Sequence, residues 1–384
     1  MYQLRPYQSE AVTRGAQFLK CGKGNGIMVL PTGSGKSLII ANLALQLDKP
    51  ILIFQPSKEI LEQNFCKFSS YGLVECSIFS ASMGRKQISK VTFATIGSVY
   101  NVRQNFVGMF SYIIIDECHL VKSSDGMYSD VLRLLGLRCL GLTATPYRLH
   151  NTQNGNLIIF LTNPWRWGRL FQTMVYQVSI QTLCAQGYLA TLRYFSLMRI
   201  ELQNLRLNST GNDYTDASLK AEYKRANFYG SIEEIVGRLL KAGRTRILVF
   251  TRFTTEAEHL SRKFGDIAGF VCGETPKRER ERLLADFKTQ KLHFMCNVGV
   301  LTTGFDYPAL DTIVMARPTR SLALWYQIVG RALRPYDGKD GWVVDLCGTY
   351  NRFGRVEDLV IRDNEGRGMY EIYSGNRQLS FTYF

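Results

Sequence analysis

The chain has few of the features that mark membrane, secreted or repetitive proteins. Its 384 residues contain no run of 18 apolar residues, which excludes a transmembrane helix of ordinary length. The N-terminal sequence has no basic stretch followed by an apolar core, so we do not expect a secretory signal. Internal repeats and low-complexity tracts are also absent. These absences predict a folded chain without a membrane partner, and we expect a monomer.

Cysteine and histidine are too sparsely placed for a disulfide framework or a zinc site. The nine cysteines are odd in number and include no CxxC pair, and the four histidines do not cluster at metal-ligand spacing. Scattered free cysteines are typical of a reducing compartment. We therefore expect a cytosolic protein, in a bacterium or in the host cell of a phage.

Acidic residues are in short supply. The chain has 32 acidic residues against 47 lysines and arginines, which gives a net charge of +15, and both halves are basic. A polyanionic partner explains this excess, because each cation placed on a phosphate releases counterions. Solubility explains it equally well, so charge alone leaves both interpretations open.

Short apolar runs alternate with helical patterns in two stretches, separated by an Asn-, Thr- and Gly-rich region. This alternation predicts α/β domains with parallel sheets covered on both faces. The predicted strands are 27–30, 51–54, 91–95, 112–116 and 139–143 in the first stretch, and 246–250, 268–272, 292–297, 312–316 and 342–345 in the second. The predicted organisation is a first domain, a linker, a second domain and a short tail, at 1–186, 187–230, 231–350 and 351–384.

The strongest local signal is the sequence Pro-Thr-Gly-Ser-Gly-Lys-Ser, which follows an apolar strand and opens a helix. Its two glycines allow backbone N–H groups to turn inward around phosphate oxygens. Lys36 places a charge on the β- and γ-phosphates, and Ser37 offers a hydroxyl to Mg²⁺. The usual pattern has glycine where this chain has Leu30. The predicted nucleotide-contacting residues of this loop are Pro31, Thr32, Gly33, Ser34, Gly35, Lys36 and Ser37.

A second signal is the pair Asp116 and Glu117, which ends an apolar strand about 80 residues after the phosphate-binding loop. Nucleotides bind at the carboxyl edge of open α/β sheets, where such a pair would lie. Adjacent residues at a strand end point in different directions. We therefore assign Asp116 to the metal and Glu117 to orienting and deprotonating the attacking water.

Two further patterns are weak when taken alone. The sequence Leu-Thr-Ala-Thr-Pro at 142–146 has hydroxyls that could couple a nucleotide site to a second domain, but a capped strand end explains it as well. Gln8 carries donor and acceptor groups that suit the edges of adenine, although a glutamine at a helix start is usually a surface residue.

The second stretch contains Gln327, Arg331 and Arg334, whose i, i+4, i+7 spacing predicts one helical face. Two arginines on one face favour an anion, and an arginine on the γ-phosphate stabilises the charge of phosphoryl transfer. Between residues 297 and 306, a polar segment follows a predicted strand. In this segment Thr302 and Thr303 could donate to a nucleic-acid phosphate, whereas Gly304 and Asp306 could face a ribose. A polar turn is the plainer alternative.

Taken together, these patterns resemble the motifs of superfamily 2 helicases over most of residues 4–346. The strings LTATPYRL, VLTTGFDYPALD and PTRSLALWYQIVGRALRP are most like RadD-type DNA repair helicases, and phage recombination helicases come next. The motifs that carry the resemblance are LRPYQ (4–8), PTGSGKS (31–37), QPSKEILEQ (55–63), ATIGSV (94–99), DECH (116–119), TATP (143–146), ILVFTRF (247–253), NVGVLTTGFDYP (297–308) and QIVGRALRP (327–335).

The resemblance implies two tandem RecA-like domains with an ATP cleft between them, and ATP and Mg²⁺ as cofactors. It adds Arg5 and Gln8 to the nucleotide-binding residues and Gln327, Arg331 and Arg334 to the catalytic ones. It also implies a nucleic-acid face on both domains. The candidates for that face are Gln55, Pro56, Ser57, Lys58, Thr95, Thr251, Arg252, Thr302 and Thr303.

The function implied is an ATP-dependent DNA helicase or translocase acting in repair or recombination on single-stranded, forked or branched DNA, with other repair or replication proteins as further partners. An RNA helicase remains an alternative, because no sequence feature indicates whether the protein recognises the 2′-hydroxyl that distinguishes RNA from DNA. An ATP-gated clamp that binds DNA without unwinding it is another. The sequence up to Phe384 lacks the cysteine-rich, zinc-binding region of RadD-type proteins, so partner contacts or substrate choice located in that region are not carried over from the resemblance.

Overall fold

The computed structural model describes residues 3–71, 75–121, 126–152, 155–164, 169–302, 304–364 and 369–382. The chain divides into two compact units. Unit 1 comprises Met1–Arg148, Ile159–Ser179 and Ile361–Ile372, and unit 2 comprises Leu149–Ile158, Ile180–Val360 and Tyr373–Phe384. No helix in the described ranges is both long and apolar enough to cross a membrane.

Unit 1 is built on a sheet in which the described strands run in the order β10-β1-β7-β6-β2-β5-β3-β4. All neighbours are parallel except β3 and β4. Strands β8 and β9 form a separate pair. The boundary between the two units falls within each of these strands. The elements from the N-terminus to β10 are α1 (Pro6–Cys21), β1 (Gly26–Val29), α2 (Lys36–Leu47), β2 (Ile51–Phe54), α3 (Lys58–Ser70), β3 (Cys76–Ser80), β4 (Arg85–Lys86), β5 (Val91–Ala94), α4 (Ile96–Tyr100), β6 (Tyr112–Asp116), α5 (Met127–Leu135), β7 (Arg138–Thr143), β8 (Tyr147–Thr152), β9 (Gly155–Phe160) and β10 (Thr173–Gln177).

Both faces of this sheet are buried, which explains why its strands are continuous apolar runs. Ile51 and Ile53 of β2 belong to one core, together with α1, α2 and α3. Leu52 and Phe54 of the same strand belong to a second core, together with α4 and α5. Successive strand residues point to opposite faces, so a strand in the middle of such a sheet needs apolar residues at every position.

Unit 2 is built on a sheet in which the described strands run in the order β11-β16-β15-β12-β14-β13, with all neighbours parallel. A short sheet of β17, β18 and β19 lies near the end of the chain. The remaining elements are α6 (Ile180–Ala185), β11 (Leu192–Ser196), α7 (Asp216–Arg225), α8 (Phe228–Lys241), β12 (Ile247–Thr251), α9 (Thr254–Phe264), β13 (Ala268–Val271), α10 (Lys277–Lys288), β14 (Phe294–Asn297), β15 (Thr312–Ala316), α11 (Leu322–Val329), β16 (Gly341–Asp345), α12 (Thr349–Phe353), β17 (Leu359–Asp363), β18 (Tyr370–Ser374) and β19 (Arg377–Gln378).

The structure differs from the predicted organisation in the segment expected to be a linker, 187–230. This segment contains β11, an edge strand of the second sheet, and α7, which packs into the core of unit 2 through Leu219 and Tyr223. The parallel partner of β11 is β16, almost 150 residues later in the chain. Pairing over that separation leaves no local signal, so a short strand between loops looks like part of a linker.

The segment expected to be a short tail, 351–384, is also folded in its described residues. Phe353, Val356 and Ile372 are almost completely buried. Trp325 of α11 has no exposed surface, and its indole N–H donates to the Gly354 carbonyl over 3.1 Å. A buried tryptophan N–H needs such an acceptor. Residues 351–364 and 369–382 are therefore part of the folded protein.

Replacing Trp325 with Phe should lower the free energy of unfolding by about 1–3 kcal/mol, because the Gly354 carbonyl loses its donor. Urea unfolding followed by far-ultraviolet circular dichroism measures the change. Tyr336→Phe, at a residue that is 52% exposed, is the matched control and should shift stability by less than about 0.5 kcal/mol. Equal stability of both variants would contradict the inferred contact.

Candidate active site

The strand order of unit 1 brings three sequence motifs to one edge of the sheet. Strand β7 lies between β1 and β6 and pairs with both in parallel. The phosphate-binding loop follows β1, the Asp-Glu-Cys-His sequence follows β6, and the Thr-Ala-Thr-Pro sequence follows β7. Because all three strands end at the same edge, the polar residues after them meet at the position where α/β sheets bind nucleotides.

The loop after β1 has the backbone of a phosphate cradle. Gly33 and Gly35 adopt φ angles of 87° and 80°, in the left-handed region that glycine enters without strain. Helix α2 begins at Lys36, and no side chain caps its first N–H groups. These groups are left to bind an anion, which the positive end of the helix dipole also favours.

The start of α1 is joined to this loop. The Tyr7 hydroxyl and the Gln8 amide both donate to the Ser34 carbonyl, over 2.7 and 2.9 Å. The Gln8 side-chain oxygen accepts from the Arg5 backbone N–H over 2.9 Å. A primary amide has two donor hydrogens and two acceptor lone pairs, so these bonds leave Gln8 with capacity for adenine. The adenine assignment of Arg5 and Gln8 stays a prediction.

The side chains of Lys36, Glu117 and His119 form a chain of close contacts at the centre of the site. The Lys36 ammonium lies 3.3 Å from Glu117 Oε1, and His119 Nδ1 lies 3.3 Å from Glu117 Oε2. His119 Nδ1 is also 3.0 Å from the hydroxyl of Thr143 at the end of β7. Glu117 has a left-handed backbone, with φ and ψ both 49°, which is uncommon for a residue other than glycine. Such conformations occur at functional sites, where they aim a side chain.

Asp116 is buried beside this chain. Burial raises the pKa of its carboxyl group to about 7; the negative charge of Glu117 adds to the rise and Lys36 opposes it. Asp116 Oδ2 lies 3.4 Å from the Asn64 amide nitrogen, and Asn64 Oδ1 accepts from the Ser37 hydroxyl over 2.9 Å. A carboxylate that burial destabilises and a nearby hydroxyl are suitable ligands for a divalent cation. The charge of the cation would stabilise the ionised form of the Asp116 carboxyl group. Asp116 and Ser37 are therefore the residues that could hold Mg²⁺.

The predicted nucleic-acid residues of unit 1 have different environments. Pro56 and Ser57 are half-buried, and Lys58 is exposed. Ser57 caps α3 by accepting from the Ile60 N–H, and the Thr95 hydroxyl is 2.9 Å from that of Ser98.

The structure differs from the prediction at Gln55, which is fully buried. Its side-chain oxygen accepts from the amide of Asn64 over 2.9 Å. Gln55 directly follows β2, which lies next to β6 in the sheet, and its contact Asn64 in turn contacts the candidate metal ligands Ser37 and Asp116. Gln55 therefore belongs to the interior of the site rather than to its surface.

In unit 2, two predicted nucleic-acid residues follow β12. Thr251 is 1% exposed, so it is not placed to reach a phosphate at the surface. Arg252 forms ion pairs of 2.8 Å with both Asp213 and Asp216, and Arg317 lies 3.8 Å from Asp213. The role of Arg252 in nucleic-acid binding stays a prediction. Thr302 is half-buried, and Thr303 lies outside the described residues.

The two arginines near residue 330 do not share a helical face with Gln327. Helix α11 ends at Val329, so Arg331 and Arg334 lie in the turns that follow. Pro335 disfavours a helical backbone at Arg334, so a helix that included this residue would be unfavourable. Arg331 donates to the Phe305 carbonyl over 2.9 Å, and Arg334 lies 3.1 Å from Asp306, just after Gly304. Both arginines thus converge on the segment after β14.

Comparison with known proteins agrees with this geometry. Residues 1–148 match the family model described as "Type III restriction enzyme, res subunit", and residues 230–336 match "Helicase conserved C-terminal domain". Together, these two matched domains and the relatives named as helicases identify the chain as an ATP-hydrolysing helicase that acts on nucleic acid.

The relatives of this helicase come from phages and cellular organisms. It is 26% identical to a 51.5 kDa protein of a Lactococcus phage, with 84% of this chain and 66% of that protein covered. It is also 26% identical to the DNA 3′-5′ translocase XPB2 of Sulfurisphaera tokodaii, over 90% of this chain and 81% of the relative. The chain thus spans about two thirds of the phage protein and four fifths of the archaeal one.

A solved structure confirms the predicted fold class of two RecA-like domains with parallel sheets. The DNA-bound ATP-dependent Type ISP restriction-modification enzyme LlaBIII is similar with a TM-score of 0.67 and 16% identity, over 90% of this chain and 28% of that enzyme. At this identity, the likeness concerns the fold.

Sequence reasoning overlooked several residues of the helicase site. Asn64 directly follows the motif at 55–63, and the motif does not distinguish it from the exposed polar residues of α3. Its only sequence signal is the helical spacing, since Leu61, Asn64 and Phe68 form the buried face. No local sequence pattern indicated the contacts of Tyr7, Asp213 and Asp216, because the residues they contact are distant in sequence.

Replacing Gly35 with Ala should weaken nucleotide binding at least about tenfold. A left-handed backbone costs a residue with a Cβ roughly 1–2 kcal/mol, and tenfold corresponds to about 1.4 kcal/mol. The new Cβ would also lie 2.6 Å from the Gln8 amide nitrogen. Titration with a fluorescent ATP analogue measures the affinity. Gly97→Ala, where a Cβ would meet nothing within 4 Å, should bind as the wild type does.

Proposed function

We propose that this chain is an ATP-dependent DNA translocase or helicase that works in DNA repair or recombination. The observation that carries the proposal is the meeting of Lys36, Glu117 and buried Asp116 at the carboxyl edge of one sheet. A lysine for phosphate, a carboxylate for water and a second carboxylate for a metal are the groups that ATP hydrolysis needs. The archaeal relative named as a DNA translocase and the DNA-bound restriction enzyme favour DNA as the substrate.

Each residue of the site has a separate role in ATP hydrolysis. The N–H groups between Gly33 and Ser37 bind the phosphate oxygens of ATP, and Lys36 turns from Glu117 to the phosphates. Once released, Glu117 orients the attacking water and accepts its proton. Mg²⁺, held by Ser37 and Asp116, would neutralise charge on the β- and γ-phosphates when bound. His119 holds the second oxygen of Glu117 and joins it to Thr143.

We assign two further roles by proposal. Arg331 and Arg334 supply positive charge to the γ-phosphate, where such a group stabilises the transferred phosphoryl. Lys58, Thr95, Arg252 and Thr302 contact the DNA backbone, through charge-assisted or hydroxyl hydrogen bonds. Repeated hydrolysis then drives movement along DNA or remodelling of it in the cytosol.

Lys36→Ala and Glu117→Gln should each abolish most ATP turnover. Loss of a positioned general base costs roughly 10²–10⁴-fold, and loss of Lys36 removes the charge on the phosphates. Steady-state phosphate release measures the rate, and fluorescence anisotropy with single-stranded DNA should show binding largely retained. Exposed Lys20→Ala and Glu10→Gln serve as matched controls. Equal turnover in wild type and Glu117→Gln would refute the assignment of Glu117.

The ATPase rate should rise with single-stranded or forked DNA and not with RNA of the same sequence, because the proposed substrate is DNA. The rate is measured without nucleic acid and with each of these, and Lys36→Ala gives the background. Stimulation by RNA would instead indicate an RNA helicase. A strand-separation assay on the forked DNA distinguishes an unwinding motor from a translocase or a clamp.

A further inference from the structure

A buried amide lies at the centre of the candidate metal site. Asn64 is 6% exposed and occupies the buried face of α3 between Leu61 and Phe68, which are fully buried. An apolar residue would suit that face of the helix better, since a buried amide is costly unless its donors and acceptor find partners. The partners of Asn64 therefore indicate what it does.

All three partners of Asn64 belong to the site or to its border. Its Oδ1 accepts from the Ser37 hydroxyl over 2.9 Å. Its Nδ2 donates to Gln55 Oε1 over 2.9 Å and lies 3.4 Å from Asp116 Oδ2. One amide thus bridges the hydroxyl and the carboxylate that are the candidate metal ligands.

The orientation of this amide is set by its neighbours. With oxygen and nitrogen exchanged, Asn64 Oδ1 would face the carboxylate oxygen Oδ2 of Asp116, and this contact would be repulsive. In the observed orientation, the proton of Ser37 points to Asn64, so the lone pairs of the hydroxyl are directed elsewhere. Asp116 is held at both oxygens, since its Oδ1 accepts from the Glu117 N–H over 3.0 Å.

Gln55 extends the network toward the motif at 55–63. It is fully buried, and its Nε2 has no hydrogen-bond partner within the described part of the chain. Gln55 contacts the Asn64 amide and directly precedes Pro56, Ser57 and Lys58, which the sequence assigns to nucleic acid. Any effect of Gln55 on the ligands must pass through Asn64.

We propose that Asn64 is a positioning residue that fixes Ser37 and Asp116 in the arrangement that binds the metal of a metal–nucleotide complex. The proposal rests on the proposed ATPase function and adds to it a residue that acts through Ser37 and Asp116. Groups that orient metal ligands in this way typically contribute 10–100-fold to metal affinity or activity.

The test separates metal-dependent from metal-independent nucleotide binding. Asn64→Leu keeps a similar volume and removes every hydrogen bond, and Asn64→Ala is a second variant. The affinity of each for a fluorescent ADP analogue is measured in excess MgCl₂ and in EDTA. We expect the affinity gained on adding Mg²⁺ to fall about 10–100-fold in both variants, with binding in EDTA unchanged, because the phosphate loop stays intact.

Two amide variants complete the design. Gln63→Ala, at an exposed amide on the same helix, is the matched control and should behave as the wild type. Gln55→Met should lower the Mg²⁺-dependent gain in affinity less than Asn64→Leu does, because Gln55 is hydrogen-bonded to Asn64 and Asn64 contacts Ser37 and Asp116.

Two results would overturn the proposal. One is a wild-type response to Mg²⁺ in Asn64→Leu. The other is an equal loss of affinity in MgCl₂ and EDTA, which would show that Asn64 only supports the fold. If the wild type hydrolyses ATP while either result is found, the positioning role fails and the proposed function stands. If the wild type neither hydrolyses ATP nor binds the analogue, the proposed function fails.

Discussion

Parallel pairing of β7 with both β1 and β6 is the constraint on which the site depends. Each of these strands ends in a polar segment, and parallel pairing brings the three ends to the same edge of the sheet. Lys36, Glu117, His119 and Thr143 meet there although up to about 100 residues separate them. The buried cores on both faces hold the strands in register, so the apolar strands determine the geometry of the chemistry.

The site holds charges that are only partly compensated by the protein. Lys36 is paired with Glu117, and buried Asp116 has a pKa raised toward neutrality. The left-handed glycines and the uncapped start of α2 add N–H donors without an acceptor side chain. A triphosphate with a divalent cation would satisfy each of these groups at once, since its oxygens accept from Lys36 and the N–H groups while its metal stabilises the Asp116 carboxylate. In the proposed mechanism, binding of the triphosphate would then release Glu117 for the attacking water.

Unit 2 uses its arginines within its own fold. Arg331 and Arg334 hold the segment at 305–306, and Arg252 is paired with Asp213 and Asp216 from the region predicted as a linker. These pairs show why the charge and spacing of the arginines were insufficient to predict their contacts in unit 2. From sequence alone, a basic residue in a motif such as Arg252 is predicted to bind phosphate. Its carboxylate partner Asp213 lies nearly 40 residues away, so no local sequence pattern indicates the ion pair.

The sequence by itself determined the class of the fold and the chemistry of the nucleotide site. Both are local properties: continuous apolar runs indicate buried parallel strands, and the loop at 31–37 and the pair at 116–117 carry their groups in consecutive residues. The tertiary structure alone decided the surroundings of those groups. Asn64 contacts Ser37 across 27 residues and Asp116 across 52, and β11 pairs with a strand far along the chain. Such contacts depend on how strands and helices pack, because hydrogen bonds between buried side chains follow distance in space and not order in the chain.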